Sequence, residues 1–153
     1  MKIQIIKYDH KYKDQMVEIA HQIHQASLYS EIEMEEDKLL AQLEYASNTH
    51  PSGYFRLAVL GDKLYGAFLG MISPGFFCDA LIAKDMGWWV KPEHRGSPAA
   101  ICLLRDFEKW AKEKGASKVM IGQTGVENIE KTTKLFTHCG YKVVGYNTAK
   151  DII

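Results

Sequence analysis

Between residues 88 and 100 the chain reads Trp88-Trp89-Val90-Lys91-Pro92-Glu93-His94-Arg95-Gly96-Ser97-Pro98-Ala99-Ala100. This is the pattern of a strand, a turn of small residues and a helix N-terminus. The first amides of a helix lack intrahelical acceptors and lie at the positive end of its dipole, so such a junction suits an anion such as phosphate. Gly96 lets backbone approach a ligand closely. Arg95 adds a planar fork of donors that matches phosphate oxygens. A plain surface turn with a solvated Arg95 would carry the same residues, and generic chemistry alone slightly favours it.

Other reactive side chains are more scattered. His21 and His24 stand three apart on an expected helix and could share a metal, but no carboxylate motif surrounds them. Surface or part-buried histidines are the better reading, and no metal is expected. Cys78, Cys102 and Cys139 are far apart, odd in number and form no C-x-x-C pair. That argues against a disulfide framework or zinc site and for reduced intracellular thiols. Phe76, Phe77, Trp88 and Trp89 could line a pocket, although aromatic strand residues are more often core. The acidic run Glu31, Glu33, Glu35, Glu36, Asp37 reads first as a solvated face.

The elements that must position these residues alternate along the chain. Ile3–Tyr8 is a short strand of strong β-formers. Met16, Ile19, Ala20, Ile23 and Ser27 recur at helical spacing, which predicts an amphipathic helix over Lys13–Ser27. The acidic connection leads into a second helix over about Glu35–Ser47, and Asn48–Gly53 is turn chemistry. Strands at Tyr54–Leu60 and Leu64–Ile72 are joined by Gly61-Asp62-Lys63, a hairpin signal. A long strand runs over Asp79–Val90. The helix Pro98–Lys114 presents Ala100, Leu103, Leu104, Phe107, Trp110 and Ala111 on one face and ends at Gly115. A strand at Lys118–Gly122, a helix at Glu127–Cys139 and a last strand at Tyr141–Ala149 are also expected. This order predicts an α/β (α+β) fold: antiparallel N-terminal strands, then a parallel βαβ crossover, with helices on both faces of a mixed central sheet.

With 153 residues, 46% of them hydrophobic, the chain suits one domain over residues 1–153 and can bury a sizeable core. Modest Gly and Pro and 11% aromatics exclude collagen, coiled coil and disorder. Nineteen Lys plus Arg against 19 Asp plus Glu leave no basic excess, which counts against a nucleic-acid binder. The balance conceals an asymmetry. Residues 1–76 carry 7 Lys or Arg against 10 Asp or Glu, and residues 77–153 carry 12 against 9. The first residues are too short and too polar for a signal peptide, and no stretch has the uncharged length of a membrane span. A cytoplasmic location is expected.

The segment at 88–100 resembles the acyl-CoA-binding motif of the GCN5-related N-acetyltransferase (GNAT) superfamily. Val90, Pro92, Arg95 and Ala100 match that pattern, while Pro98 replaces its central Gly. Proline removes one amide from the phosphate cradle but is pre-organised for a first helical turn. Asn128…Leu135-Phe136-Thr137-His138-Cys139-Gly140-Tyr141 resembles the closing motif of the same family, and the order of elements is similar throughout. The Trp-Trp-Val and Arg-Gly-Ser details are similar to small bacterial and bacteriophage members.

The resemblance implies transfer of an acetyl group from acetyl-CoA to an amine of a small molecule or protein. Amides of Gly96, Ser97, Ala99 and Ala100, with Arg95, would share the phosphates. A bulge at Trp88–Val90 would turn backbone amides on the thioester carbonyl and part this strand from Lys118–Gly122, making a slot for the pantetheine arm. Asn128 would bond that arm, and Phe136 would flank it. The general base of the family is often a strand carboxylate acting through water. Asp85 is the first candidate here and Asp79 the second, with strand-edge solubilising carboxylates an equal alternative. The family's general acid is a Tyr on the last helix, and Phe136 occupies its place. Cys139, His138, Tyr146 or water would have to substitute. A domain that binds acyl-CoA without efficient catalysis is therefore the alternative. The acidic run would flank the acceptor side, and acceptor pockets in the family sometimes draw on a second subunit, which leaves a homodimer open.

Overall fold

The computed structural model describes residues 2–48, 51–122 and 129–152. In chain order the elements are β1 (Gln4–Lys7), α1 (Lys13–Ala26), α2 (Glu36–Asn48), β2 (Gly53–Leu60), β3 (Lys63–Gly75), β4 (Cys78–Val90), α3 (Ala99–Glu113), β5 (Lys118–Met120) and α4 (Ile129–His138). Short 3-10 turns at His10–Tyr12 and Pro92–His94 precede α1 and α3. The strands lie in sequence order. Neighbours from β1 to β4 are antiparallel, and β4–β5 is parallel. This is the expected mixed sheet.

Strand alternation divides the apolar residues between two faces. On one, Tyr54, Phe68, Ile72 and Ala83 pack with Ala99, Leu103, Leu104, Phe107, Trp110 and Ala111 of α3. On the other, Phe55, Leu57, Val59 and Ala67 pack with Met16 and Ile19 of α1 and Leu43 of α2. Burying each large apolar side chain contributes roughly 1.5–3 kcal/mol. Phe107 is the centre of the first face, its ring 4.4 Å from that of Phe68 and 5.0 Å from that of Tyr54. Gly70 makes room for it, because a Cβ there would stand 2.5 Å from Phe107 Cε2. Burial and a 2.6 Å hydrogen bond to Asp106 both raise the Tyr54 phenol, so it stays protonated.

The hairpin and the α3 terminus follow sequence expectation. Leu60 pairs with Lys63 across Gly61-Asp62, with Gly61 at φ +60°. Gly115 adopts φ +81° just past α3. The last strand does not form. Residues 141–152 carry no regular structure, and Val143, Val144 and Tyr146 are 63%, 74% and 92% exposed. Strand preference is realised only by packing against a neighbour. The adjacent strand, β5, pairs over three residues, from Lys118 to Met120, and offers little template. Among the described residues no helix is long and apolar enough to cross a membrane.

Candidate functional site

The site begins where β4 changes partners. Its pairing with β5 stops at Lys84↔Met120. Its pairing with β3 slips one residue further on, because Leu69 faces Gly87 while Gly70 faces Asp85. Met86 is therefore the bulged residue, 62% exposed, two positions before the expected bulge at Trp88–Val90. A bulge adds local twist and ends orderly pairing. Beyond it, residues 86–90 keep β3 on one side and have no strand on the other among the described residues.

Asp85 sits in the crotch of this fork. Its Oδ1 accepts the Gly122 amide at 2.8 Å, tying the end of β5 to β4 by a side chain where backbone pairing stops. Burial pushes the carboxyl up from the ordinary carboxylate value, and the Gly122 hydrogen bond opposes that shift. A desolvated carboxyl with a raised pKa holds its proton more readily than a free one, which is the tuning that proton-transfer groups use. Asp79 is exposed near the far hairpin tip, away from this fork.

The upper end of β4 is held from the other face of the sheet. Lys91 is only 5% exposed, and its Nζ donates to Glu18 Oε2 of α1 at 2.8 Å. Trp89 Nε1 donates to Gln22 Oε1 of the same helix at 3.0 Å. The chain then turns through Pro92–His94, where His94 stacks on Tyr65 with ring centroids 3.7 Å apart. The Arg95 guanidinium lies 4.7 Å over the Trp89 ring, and its Nε donates to the Val90 carbonyl at 3.4 Å. Gly96 adopts φ +89°, a backbone region that other residues rarely enter. The turn thus brings Val90, Arg95, Gly96 and the start of α3 together.

Its amides are not all available. Ser97 N–H donates to the His94 carbonyl at 3.2 Å, and Ala99 N–H lies 3.4 Å from Ser97 Oγ. Cys102 N–H makes the first helical bond, to Pro98. Gly96, Ala100 and Ile101 are left with amides that have no acceptor among the described residues. Of the four amides expected to share phosphates, those of Ser97 and Ala99 thus have acceptors within the turn, and those of Gly96 and Ala100 do not.

On the α3 side, Trp88 stands with its ring 5.7 Å from that of Phe68 and 5.5 Å from that of Phe136 on α4. Phe136 also packs at 5.7 Å against Tyr141. The Tyr141 hydroxyl donates to Glu108 Oε1 at 2.8 Å, and burial with that bond raises its pKa. Cys139 is half-buried against the α3 core, whereas His138 and Tyr146 are exposed. Trp88 and Phe136 thus meet, and Tyr146 is not brought to them. Asn128 lies outside the described residues.

Opposite, the α1–α2 connection carries the acidic run. Ile32, Glu33, Glu35, Lys38, Leu39 and Gln42 line an open groove of about 310 Å³. His24 Nε2 lies 2.7 Å from the Ile32 carbonyl, and His21 Nε2 lies 3.6 Å from Glu36. Both histidines thus hold this connection. Among the described residues no group of three or more His, Cys, Asp or Glu is placed to hold a metal. Phe76 and Phe77 are 94% exposed at the β3–β4 tip, touching each other rather than lining a pocket.

The model of the acetyltransferase (GNAT) family matches residues 15–141 of the chain. The chain belongs to this family. Solved structures with the same GNAT fold include a transcriptional regulator from Bacillus halodurans (TM-score 0.81, 14% identity, 99% of this chain and 100% of that one). Another is glucosamine-6-phosphate N-acetyltransferase from Arabidopsis thaliana (0.77, 14%, all of both chains). A third is the acetyltransferase AAC(6')-Iy in complex with a CoA-containing bisubstrate analogue (0.74, 16%, 98% of this chain and 100% of that one). No curated protein sequence matches the chain.

Several residues of this candidate site carry no sequence signal. Met86 is an ordinary strand residue until its register is known. Lys91 and Glu18 are 73 positions apart, and each reads as a solvated charge. Ile101 reads as part of the α3 apolar pattern.

Proposed function

We propose that the protein is an N-acetyltransferase that moves an acetyl group from acetyl-CoA to a primary amine of a small molecule or protein. The observation that carries the reading is the continuity of one path in a GNAT chain. The anion-suited turn at 95–101 leads along a strand edge, 86–90, that has no partner among the described residues, to a bulge with a part-buried carboxylate beside it. Acetyl-CoA, when bound, supplies an activated thioester. Arg95 and the amides of Gly96, Ala100 and Ile101 hold phosphate oxygens. The open β4 edge offers backbone donors to the arm and, at the bulge, to the negative charge that develops on a carbonyl oxygen. Asp85 accepts the proton of the attacking amine, through water. The acidic α1–α2 connection draws a cationic amine toward the opposite side. The thiolate takes its proton from water, because Phe136 has none to give and the Tyr141 phenol is turned to Glu108.

The test is release of free thiol from acetyl-CoA in the presence of polyamines, amino sugars and peptide N-termini. Amine-dependent release supports transfer. Tight CoA binding with no release across the panel sinks it and favours a second reading, an acyl-CoA-binding regulatory domain. That reading draws on Phe136 and on the regulator among the similar folds. The three cysteines are unpaired, which fits a reducing cytoplasmic setting.

A further inference from the structure

One buried polar atom has no explanation in the fold. Among the described residues Trp88 Nε1 is the buried side-chain nitrogen or oxygen that lacks a hydrogen-bond partner. A buried N–H left unpaired costs about 1–3 kcal/mol, and such atoms in native proteins call for a reason. The neighbouring tryptophan on the same strand shows the contrast, since Trp89 Nε1 is satisfied by Gln22 at 3.0 Å. Nothing about indole chemistry or strand position separates the two. What separates them is the face. Trp89 looks to α1, whereas Trp88 looks to α3 and α4, with Phe68 and Phe136 as ring neighbours that offer no acceptor oxygen.

We propose that the Trp88 indole N–H is a donor reserved for an amide carbonyl of the pantetheine arm of coenzyme A. The inference rests on the acyl-CoA reading above and adds a specific recognition contact to it. Trp88 lies on the stretch of β4 whose outer edge has no strand partner among the described residues. It is two residues, or about 7 Å, beyond the bulge at Met86 in the direction of the phosphate turn. An arm running from that turn to the bulge passes it part-way, where its amides rather than its thioester lie. The indole is a donor only, so the partner must be an acceptor, and an amide carbonyl is a neutral one. Phe136 gains a second role here. By putting a ring where a phenol would otherwise accept from or compete with the indole, it keeps that N–H open.

The experiment is a 15N-edited spectrum of the three tryptophan indoles, titrated with CoA and, separately, with ADP, which lacks the arm. The Trp88 resonance is assigned as the one lost in Trp88→Phe, or by elimination with Trp89→Phe and Trp110→Phe if that variant does not fold. CoA should move the Trp88 indole proton downfield, while ADP moves only the Gly96–Ile101 amides. Trp88→Phe should weaken CoA about 5-fold and leave ADP unchanged, as expected for one neutral hydrogen bond. If CoA shifts the turn amides and the Trp88 indole stays still, or if ADP moves it equally, the assignment is overturned while the acyl-CoA reading stands. If CoA moves neither, both fall.

Discussion

The two halves of β4 are built by different means. From Cys78 to Asp85 the strand pairs with β3, and over Ile82–Lys84 it is also paired with β5, so that backbone hydrogen bonds hold both of its edges there. From Met86 to Val90 the edge away from β3 is bare among the described residues, and side chains add to the pairing with β3: Trp89 to Gln22, then Lys91 to Glu18 and His94 onto Tyr65. A backbone amide cannot both close a sheet and receive a ligand. Side-chain ties on one face make up for the strand partner missing from one edge and leave main chain there for recognition, and the proposed site lies in that half.

Breaking this contrast should have effects of graded size. The largest is expected at Asp85, the boundary between the halves. Asp85→Asn keeps an oxygen for the Gly122 amide and removes the base, so turnover should fall about 100-fold with the fold retained. Its folded-state pKa is raised, so the folded protein holds that proton more tightly than the unfolded chain does. The resulting contribution to stability is complete below the ordinary carboxylate value and is lost as pH rises through the raised one. Asn therefore matches or exceeds the wild-type melting temperature at neutral pH, and full turnover by the variant would reduce Asp85 to a clasp. Next comes Arg95→Ala in the bare half. CoA affinity measured by calorimetry should drop about 10-fold, with the loss shrinking as salt is added. An unchanged Kd moves the phosphate site elsewhere.

The side-chain support itself is worth less. Glu18→Ala strands the buried Lys91 ammonium. Because Glu18 is itself half-exposed, the cost should be about 1–2 kcal/mol in a denaturant melt. CoA affinity should fall with it if the bare half depends on α1. Smallest of all is Phe136→Tyr. Its new hydroxyl would raise turnover no more than several-fold if leaving-group protonation limits the rate, with the pH–rate profile as the readout. A loss of CoA affinity instead would mean that the hydroxyl has filled the space beside Trp88.

Much of the layout was legible because it rests on periodicities that packing obeys. The α3 stripe at Leu103, Leu104, Phe107, Trp110 and Ala111 is buried as its spacing predicts. The Gly61-Asp62 hairpin forms where turn chemistry places it. The strand–turn–helix at 88–100 was legible for the same local reason. Features that depend on distant partners were not. The slip at Met86 reflects where β5 stops pairing, and β5 lies 32 residues beyond it. Lys91 is buried only because Glu18 reaches it from α1. The opposite error occurs at Tyr141–Ala149, where Val143, Val144 and Tyr146 find no matching edge and remain exposed. That the Ser97 amide is taken is decided by the closure of the turn on the His94 carbonyl, below the resolution of residue type.

Helix α1 is fastened at three points along one line. Gln15 reaches across the β2–β3 turn, giving a hydrogen bond to the Asp62 carbonyl at 2.9 Å and taking one from the Leu64 amide at 2.8 Å. Glu18 and Gln22 add the ties to Lys91 and Trp89. These three anchors span about 10 Å of helix axis, enough to block both rolling and sliding. Kinematically, α1 and the sheet are one body, so a displacement of α1 would have to carry the β2–β3 turn and the end of β4 with it.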